Sequence, residues 1–430
     1  MKTITLSKGV RLHAFLEDRF KSEYLCANFL SPPPADSPAN GILLSSMLAC
    51  GSARYPSSTL LNRALEEAYD TAFSCRSFRI GETRVQPFAV SWLSGRFIPD
   101  GFDTEKEALS FLTDGIFHPN VQNGAFDKEE LQKQIFNRID DLHAEKNNKQ
   151  RYAIKQCLRL MCKDEPFARG GTCTEQEFKS VSAEGLYTYY QQLLQNAPIE
   201  LYYFGKKDAE ALAGELDPLF APLYTEKRAL RRDTVSPLKP QVLRRVEEST
   251  AFQSTLCLGF KTPIVLDDPL YPALTVMKEM LSDSPVSLLF TNVREKESLC
   301  YYCSASGEPG KGLLLISAGI DRKNAAYAEE LILAQLEKMK KGDFEEELFL
   351  LAKRALIQSY KELSDSPAYI EGWYLRRSLM GLRDSPEQTA QRIKTVTKEQ
   401  VILAANSLSL DTVYLLQGVK GGEHRGISKD

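Results

Sequence analysis

Apolar stretches long enough to cross a bilayer are missing from this 430-residue chain. The first residues, Met1-Lys2-Thr3-Ile4-Thr5-Leu6-Ser7-Lys8, lack the apolar core of a secretion signal. A membrane anchor is therefore not expected. A strong charge of either sign is also missing: the formal net charge is −3, which gives no general attraction to nucleic acid or to anionic membranes. Histidine is scarce. None of His13, His118, His143 and His424 has a second histidine or a carboxylate one helical turn away in the order a metal site needs. The nine cysteines are odd in number and scattered, which argues for reduced thiols and a cytoplasmic protein.

What is present is an ordinary globular composition, 43% hydrophobic and 26% charged, long enough for two or three cores. The chain also resembles itself. Val181-Ser182-Ala183-Glu184-Gly185-Leu186 opens a helix, and a strand at 199–204 follows, ending at Gly205. Val396-Thr397-Lys398-Glu399-Gln400-Val401 opens another helix, followed by a strand at 412–416 ending near Gly418. Phe126-Asp127-Lys128-Glu129-Glu130-Leu131 corresponds to Phe344-Glu345-Glu346-Glu347-Leu348, and Leu25-Cys26-Ala27-Asn28-Phe29 to Leu256-Cys257-Leu258-Gly259-Phe260. The spacing shrinks along the chain, which places an extra segment in the first half between Ser77 and Phe126. The expected fold is α+β: two homologous repeats, each an antiparallel sheet with helices packed on one face. The first repeat is 1–225 and the second 251–430. Residues 226–250, with seven basic residues against four acidic ones plus Pro237 and Pro240, read as an exposed linker. That linker lacks interleaved aromatics, so no nucleic-acid partner is expected.

One stretch carries chemistry. Leu274, Met277, Met280 and Leu281 have helical spacing and lead into Leu289-Phe290-Thr291-Asn292-Val293-Arg294-Glu295-Lys296-Glu297-Ser298-Leu299-Cys300-Tyr301-Tyr302. A strand, a turn with Gly307, Gly310 and Gly312, and a strand at 313–320 follow. Arg294 is thus expected near a helix end and Tyr301 at the mouth of a strand. A guanidinium and a phenol on rigid elements can grip a carbonyl oxygen, but the pair contains neither a nucleophile nor a base. Cys300 and Cys303 have the CxxC spacing. On a regular strand they point to opposite faces and suit neither a metal nor a redox site. The Gly-rich turn has no Lys-Ser/Thr and no helix after it, so it reads as a hairpin rather than a phosphate loop.

The whole chain resembles the pitrilysin/insulinase metallopeptidases. In that family the second half carries a pattern close to L-F-x-x-[LV]-R-E-K-x-x-L-x-Y, standing here from Leu289 to Tyr301. The resemblance implies two repeats closed as a clamshell, with Arg294 and Tyr301 contacting substrate. It also implies a zinc motif, H-x-x-E-H, just before a Met-Leu-x-x-Gly turn. That turn is Met47-Leu48-Ala49-Cys50-Gly51, and the five motif positions are Ile42, Leu43, Leu44, Ser45 and Ser46. Both histidines and the water-activating glutamate are lost, and the third ligand aligns with Arg138. No cofactor is expected, nor catalysis by this chain alone, because zinc hydrolysis needs three ligands, a bound water and a base. The implied function is the non-catalytic, substrate-contacting subunit of a heteromeric zinc peptidase whose partner is a zinc-bearing relative. The resemblance extends to zinc-less bacterial members associated in name with elongation factor P modification. The alternative is a peptide-binding or scaffold protein with no role in proteolysis. Homodimerisation stays open. A cysteine-based enzyme ranks last, since Cys50 and Cys75 have no adjacent base.

Overall fold

The computed structural model describes residues 1–33, 37–169 and 173–419, so His424 lies outside the described residues. The chain divides into two compact units, one formed by residues 1–142 and 169–231, the other by 143–168 and 232–430.

The first unit contains β1 (Lys2–Ser7), β2 (Val10–Leu16), β3 (Ser22–Ser31), β4 (Ala72–Cys75), β5 (Phe78–Ile80), β6 (Thr83–Leu93), the short hairpin β7 (Val121–Gln122) and β8 (Ala125–Phe126), and β9 (Ile199–Gly205). Its main sheet runs β1-β2-β9-β3-β6-β4, with β5 also paired to β6. All ladders are antiparallel except β2 with β9. Alternate residues of the central strands, such as Leu25, Ala27 and Phe29 on β3 and Leu201 and Tyr203 on β9, enter one apolar core. Helix Ala39–Ala49 contributes Leu43, Leu44, Met47 and Leu48 to that core.

The second unit contains β10 (Leu243–Glu248), β11 (Ser254–Lys261), β12 (Cys300–Glu308), β13 (Leu313–Ile320) and β14 (Ser409–Gln417), in the order β10-β14-β11-β13-β12. Only β10 with β14 is parallel. Four central strands repeat the first unit's scheme: β2, β9, β3 and β6 correspond to β10, β14, β11 and β13 in order and direction. The segments matched in the sequence at 25–29 and 256–260 fall on β3 and β11, and those at 199–204 and 412–416 on β9 and β14. The β7–β8 hairpin lies within the stretch where the sequence placed extra residues, and it has no counterpart among the described residues of the second unit. Leu243–Glu248, read from the sequence as part of the connection, pair as the edge strand β10.

Helices cover both faces of the second sheet, a correction to the single helical face expected. Leu256, Leu258, Leu314 and Ile316 point into one core, which Val276, Ile332 and Val401 complete. Cys257, Leu313, Leu315, Tyr414 and Leu416 point the other way, into a second core with Ala153, Cys157 and Met161. Those three residues are spaced by four along helix Lys149–Met161 and form one apolar stripe. At Gly259 the approach is so close that a Cβ would meet Met161 Sδ at 2.4 Å. Burial on both faces explains why β11 and β13 are near-continuous apolar runs. The docked helix is also held by polar contacts. Buried Lys261 donates to Met161 O (3.2 Å) and Pro237 O (2.6 Å), and lies 3.2 Å from Asp411 Oδ1. Gln150 Nε2 donates to Ser304 Oγ and Ser317 Oγ, each at 3.2 Å.

Candidate functional site

In the first unit, helix Ala39–Ala49 carries the positions aligned with the zinc motif. Ser45 and Ser46 are buried, and both hydroxyls turn back on their own helix, donating to Ile42 O at 2.8 Å and 3.1 Å. Such back-bonding is how a hydroxyl is satisfied in a helix interior. The structure brings Arg138, on helix Lys128–Glu145, against Ser46: Arg138 Nε donates to Ser46 Oγ at 3.0 Å, and Nη1 donates to Asp141 Oδ2 at 2.9 Å. One turn earlier, Gln134 Nε2 bonds Glu130 Oε1 (2.6 Å) and Cys50 Sγ (3.2 Å).

This group does not fit a zinc ion. An aliphatic side chain, two hydroxyls bonded to their own backbone and a permanent cation stand where nitrogen and carboxylate donors would be required. Among the described residues no group of three His, Cys, Asp or Glu is placed to hold a metal. Neither sequence-flagged cysteine is primed for attack. Burial raises the Cys50 thiol to about 11 and the Cys75 thiol to about 12. His13 is engaged through both ring nitrogens, to Thr3 Oγ1 (3.1 Å) and Glu200 Oε2 (2.6 Å).

In the second unit, Arg294 lies in the last turn of helical segment Leu289–Lys296, and Tyr301 is the second residue of β12. The segment is a π-helix, widened relative to an α-helix, a form that often marks functional sites. It is anchored by buried Leu289 and Val293 and by Asn292 Nδ2 donating to Gln335 Oε1 at 2.8 Å. The Arg294 guanidinium lies over the Phe290 ring, 4.9 Å from its centroid, with the side chain exposed. The chain then turns through Ser298, a non-glycine residue at φ 51°. On β12, Cys300 faces Ile320 and Tyr302 faces Gly319, so Tyr301 is the extra residue of a β-bulge. Gly319 makes room for the Tyr302 ring: a Cβ there would meet a ring carbon at 2.4 Å. Tyr302 is held, its hydroxyl 3.3 Å from Thr255 Oγ1, whereas Tyr301 stands 66% exposed.

The bulge overturns one expectation. Because Tyr301 is inserted, Cys300 and Cys303 oppose Ile320 and Ala318, two residues apart on β13, and therefore share a face. The Cys303 thiol draws the Cys300 thiol below its usual range, with burial opposing and the Arg294 charge assisting, while Cys303 is pushed well up. Nothing in Cys-Tyr-Tyr-Cys signals a bulge, so periodicity alone could not find this pair. No described helix is long and apolar enough to cross a membrane.

Residues 180–356 match the family model described as the peptidase M16 inactive domain. A curated protein of Bacillus subtilis, named "Probable inactive metalloprotease YmfF", is 28% identical over 96% of this chain and 97% of its own length. A crystal structure of a conserved protein from Enterococcus faecalis superposes with a TM-score of 0.90 at 27% identity, covering 98% of this chain and 99% of that one. The peptidase M16 inactive domain from Pseudomonas fluorescens shares the fold with a TM-score of 0.81 at 16% identity, covering 98% and 99%. With its motif positions occupied by Ile42, Ser45, Ser46 and Arg138, the chain is similar to inactive M16 metalloproteases: the inactive-domain model covers residues 180–356, and the likeness to a probable inactive metalloprotease runs along nearly the whole chain.

Proposed function

We propose that this chain is the non-catalytic, substrate-contacting subunit of a two-chain zinc peptidase, with Arg294 and Tyr301 as the side chains it presents to substrate. One contrast carries the reading. The positions where the family binds metal are closed on themselves, with the Arg138 guanidinium bonded to Ser46, whereas Arg294 and Tyr301 stand exposed on a π-helix and a bulge. Ile42, Ser45, Ser46 and Arg138 supply neither ligand nor base, so a zinc-bearing relative provides both. This chain provides donors: a permanently charged guanidinium and a phenolic O–H, suited to a peptide carbonyl oxygen on which charge develops. The shared strand order of the two units supports two homologous repeats; on this reading the repeats, 1–225 and 251–430, close as a clamshell around a peptide in the cytoplasm.

The test is reconstitution. Each chain is purified, its metal content is measured, and peptide turnover is followed separately and mixed. This chain alone is expected to hold no stoichiometric zinc and to cleave nothing, and the mixture is expected to turn over peptide. Arg294→Ala and Tyr301→Phe should lower that turnover while partner binding is unchanged. Wild-type turnover in both variants would refute the shared site. Peptide binding with no partner-dependent turnover would assign the chain to the scaffold class.

A further inference from the structure

The bulge that displays Tyr301 also creates a second chemical feature. Cys300 and Cys303 lie on one face of β12, the edge strand of its sheet; Cys300 is in the apolar core and Cys303 packs partly buried against it. Most cysteines in the chain are chemically quiet. Burial pushes Cys50, Cys75, Cys157, Cys162 and Cys257 upward, and Cys303 rises through its interaction with Cys300. Cys300 is drawn the other way, downward, by the Cys303 thiol first and by the Arg294 guanidinium as well, against the opposing effect of its own burial. The bulge thus sets two thiols on one face of β12, opposite Ile320 and Ala318, at a sheet edge next to the exposed Ser298 and Tyr301, with Cys300 the more readily deprotonated of the two.

We propose that Cys300 and Cys303 form a redox-active dithiol, a modification site for peroxides, that closes reversibly into a disulfide spanning the Tyr301 bulge. The Cys300 thiolate attacks one oxygen of hydrogen peroxide. The O–O bond breaks, hydroxide leaves and takes up a proton, and Cys300 becomes a sulfenic acid. The Cys303 sulfur then attacks the Cys300 sulfur, and the S–O bond breaks. The departing hydroxide takes the Cys303 proton and leaves as water. In sum, two thiols and one peroxide give one disulfide and two waters, with two electrons passing from the sulfurs to the peroxide. Closure draws Cys300 and Cys303 together across Tyr301 and Tyr302 and resets the bulge. Any consequence for substrate contact rests on the function proposed above, but the sulfur chemistry does not.

The experiment uses the full-length native chain without a partner. Trypsin releases residues 297–311, which hold Cys300 and Cys303 and no other cysteine. After peroxide treatment and iodoacetamide trapping, this peptide should be two hydrogens lighter and carry no alkyl group, and dithiothreitol should restore both thiols. In untreated protein at neutral pH, Cys300 should alkylate roughly tenfold faster than Cys50 or Cys75, as thiolate control of reactivity demands. In Cys303→Ser the sulfenic acid has no resolving thiol, so dimedone should label Cys300. A wild-type 297–311 peptide that keeps two alkylatable thiols after peroxide would overturn the proposal, and that measurement depends on no variant. A disulfide linking either residue to a cysteine outside the peptide would overturn it as well.

Discussion

Helix Ala39–Ala49, aligned with the zinc motif, and the 289–308 segment, proposed here to contact substrate, are treated oppositely by folding. On the helix, polar groups are drawn inward. Ser45 and Ser46 bond to Ile42 O, Arg138 bonds to Ser46, and leucines fill the remaining space. The result is ordinary core with no strained residue. In 289–308 the backbone departs from regular geometry three times within about a dozen residues, at the π-helix, at Ser298 and at the bulge. A left-handed non-glycine residue costs on the order of 1 kcal/mol, and the side chains displayed, Arg294 and Tyr301, return little packing energy. A site without chemistry relaxes into packing. A costly local geometry that ends in exposed polar groups is not what folding alone favours.

That contrast can be broken by separating stability from turnover. The largest effect is expected on the helix. Leu44→Ala, at a fully buried position, should destabilise the chain by about 2–5 kcal/mol in denaturant titration. A loss below ~1 kcal/mol would mean that the helix is not working as core. Next comes Arg294→Ala, which should lower partner-dependent kcat/KM on the order of 10²-fold, the usual cost of one oxyanion donor. Its unfolding free energy should stay within ~0.5 kcal/mol of wild type, as for exposed positions generally. If stability falls instead, Arg294 belongs with the packed residues and the contrast fails. Ser46→Ala removes the hydroxyl that accepts from Arg138 and should cost about 1 kcal/mol of stability with no effect on turnover. A change in turnover without a change in stability would put the old motif back into function.

Much of the fold is legible in the sequence because continuous apolar runs mark strands buried on both faces. The runs at 25–29, 199–204, 256–260 and 412–416 fall on the central strands β3, β9, β11 and β14. What covers those faces is not legible. The stripe Ala153, Cys157, Met161 says that one side of its helix is buried, but not that it lies on β11, β13 and β14. The residue types of the site can also be read, since loss of histidine and glutamate at 42–46 is visible letter by letter. The Arg138–Ser46 bond is not, because it joins side chains 92 positions apart on two helices. The shared face of Cys300 and Cys303 stayed hidden for a different reason. Period-two alternation assumes an unbroken ladder, and one inserted residue reverses every face beyond it.

Deleting Tyr301 outright should leave the sheet standing, and it is the sharpest test of what the bulge is for. In the present ladder Cys300 opposes Ile320, Tyr302 opposes Gly319 and Cys303 opposes Ala318. Removing the extra residue leaves all three pairs available in a regular antiparallel strand, with Tyr302 still over Gly319 and Cys300 still in the core. Deletion inside a strand ordinarily flips side chains to the wrong face, but here it removes only the residue without a partner. The variant should therefore keep its unfolding free energy within about 1 kcal/mol of wild type. Its partner-dependent turnover should fall at least as far as that of Tyr301→Phe, because both the phenol and its display are gone. If the variant unfolds, the bulge is part of the sheet's own architecture and the exposed tyrosine needs no functional explanation. If it folds and loses turnover, the irregularity serves the site rather than the fold.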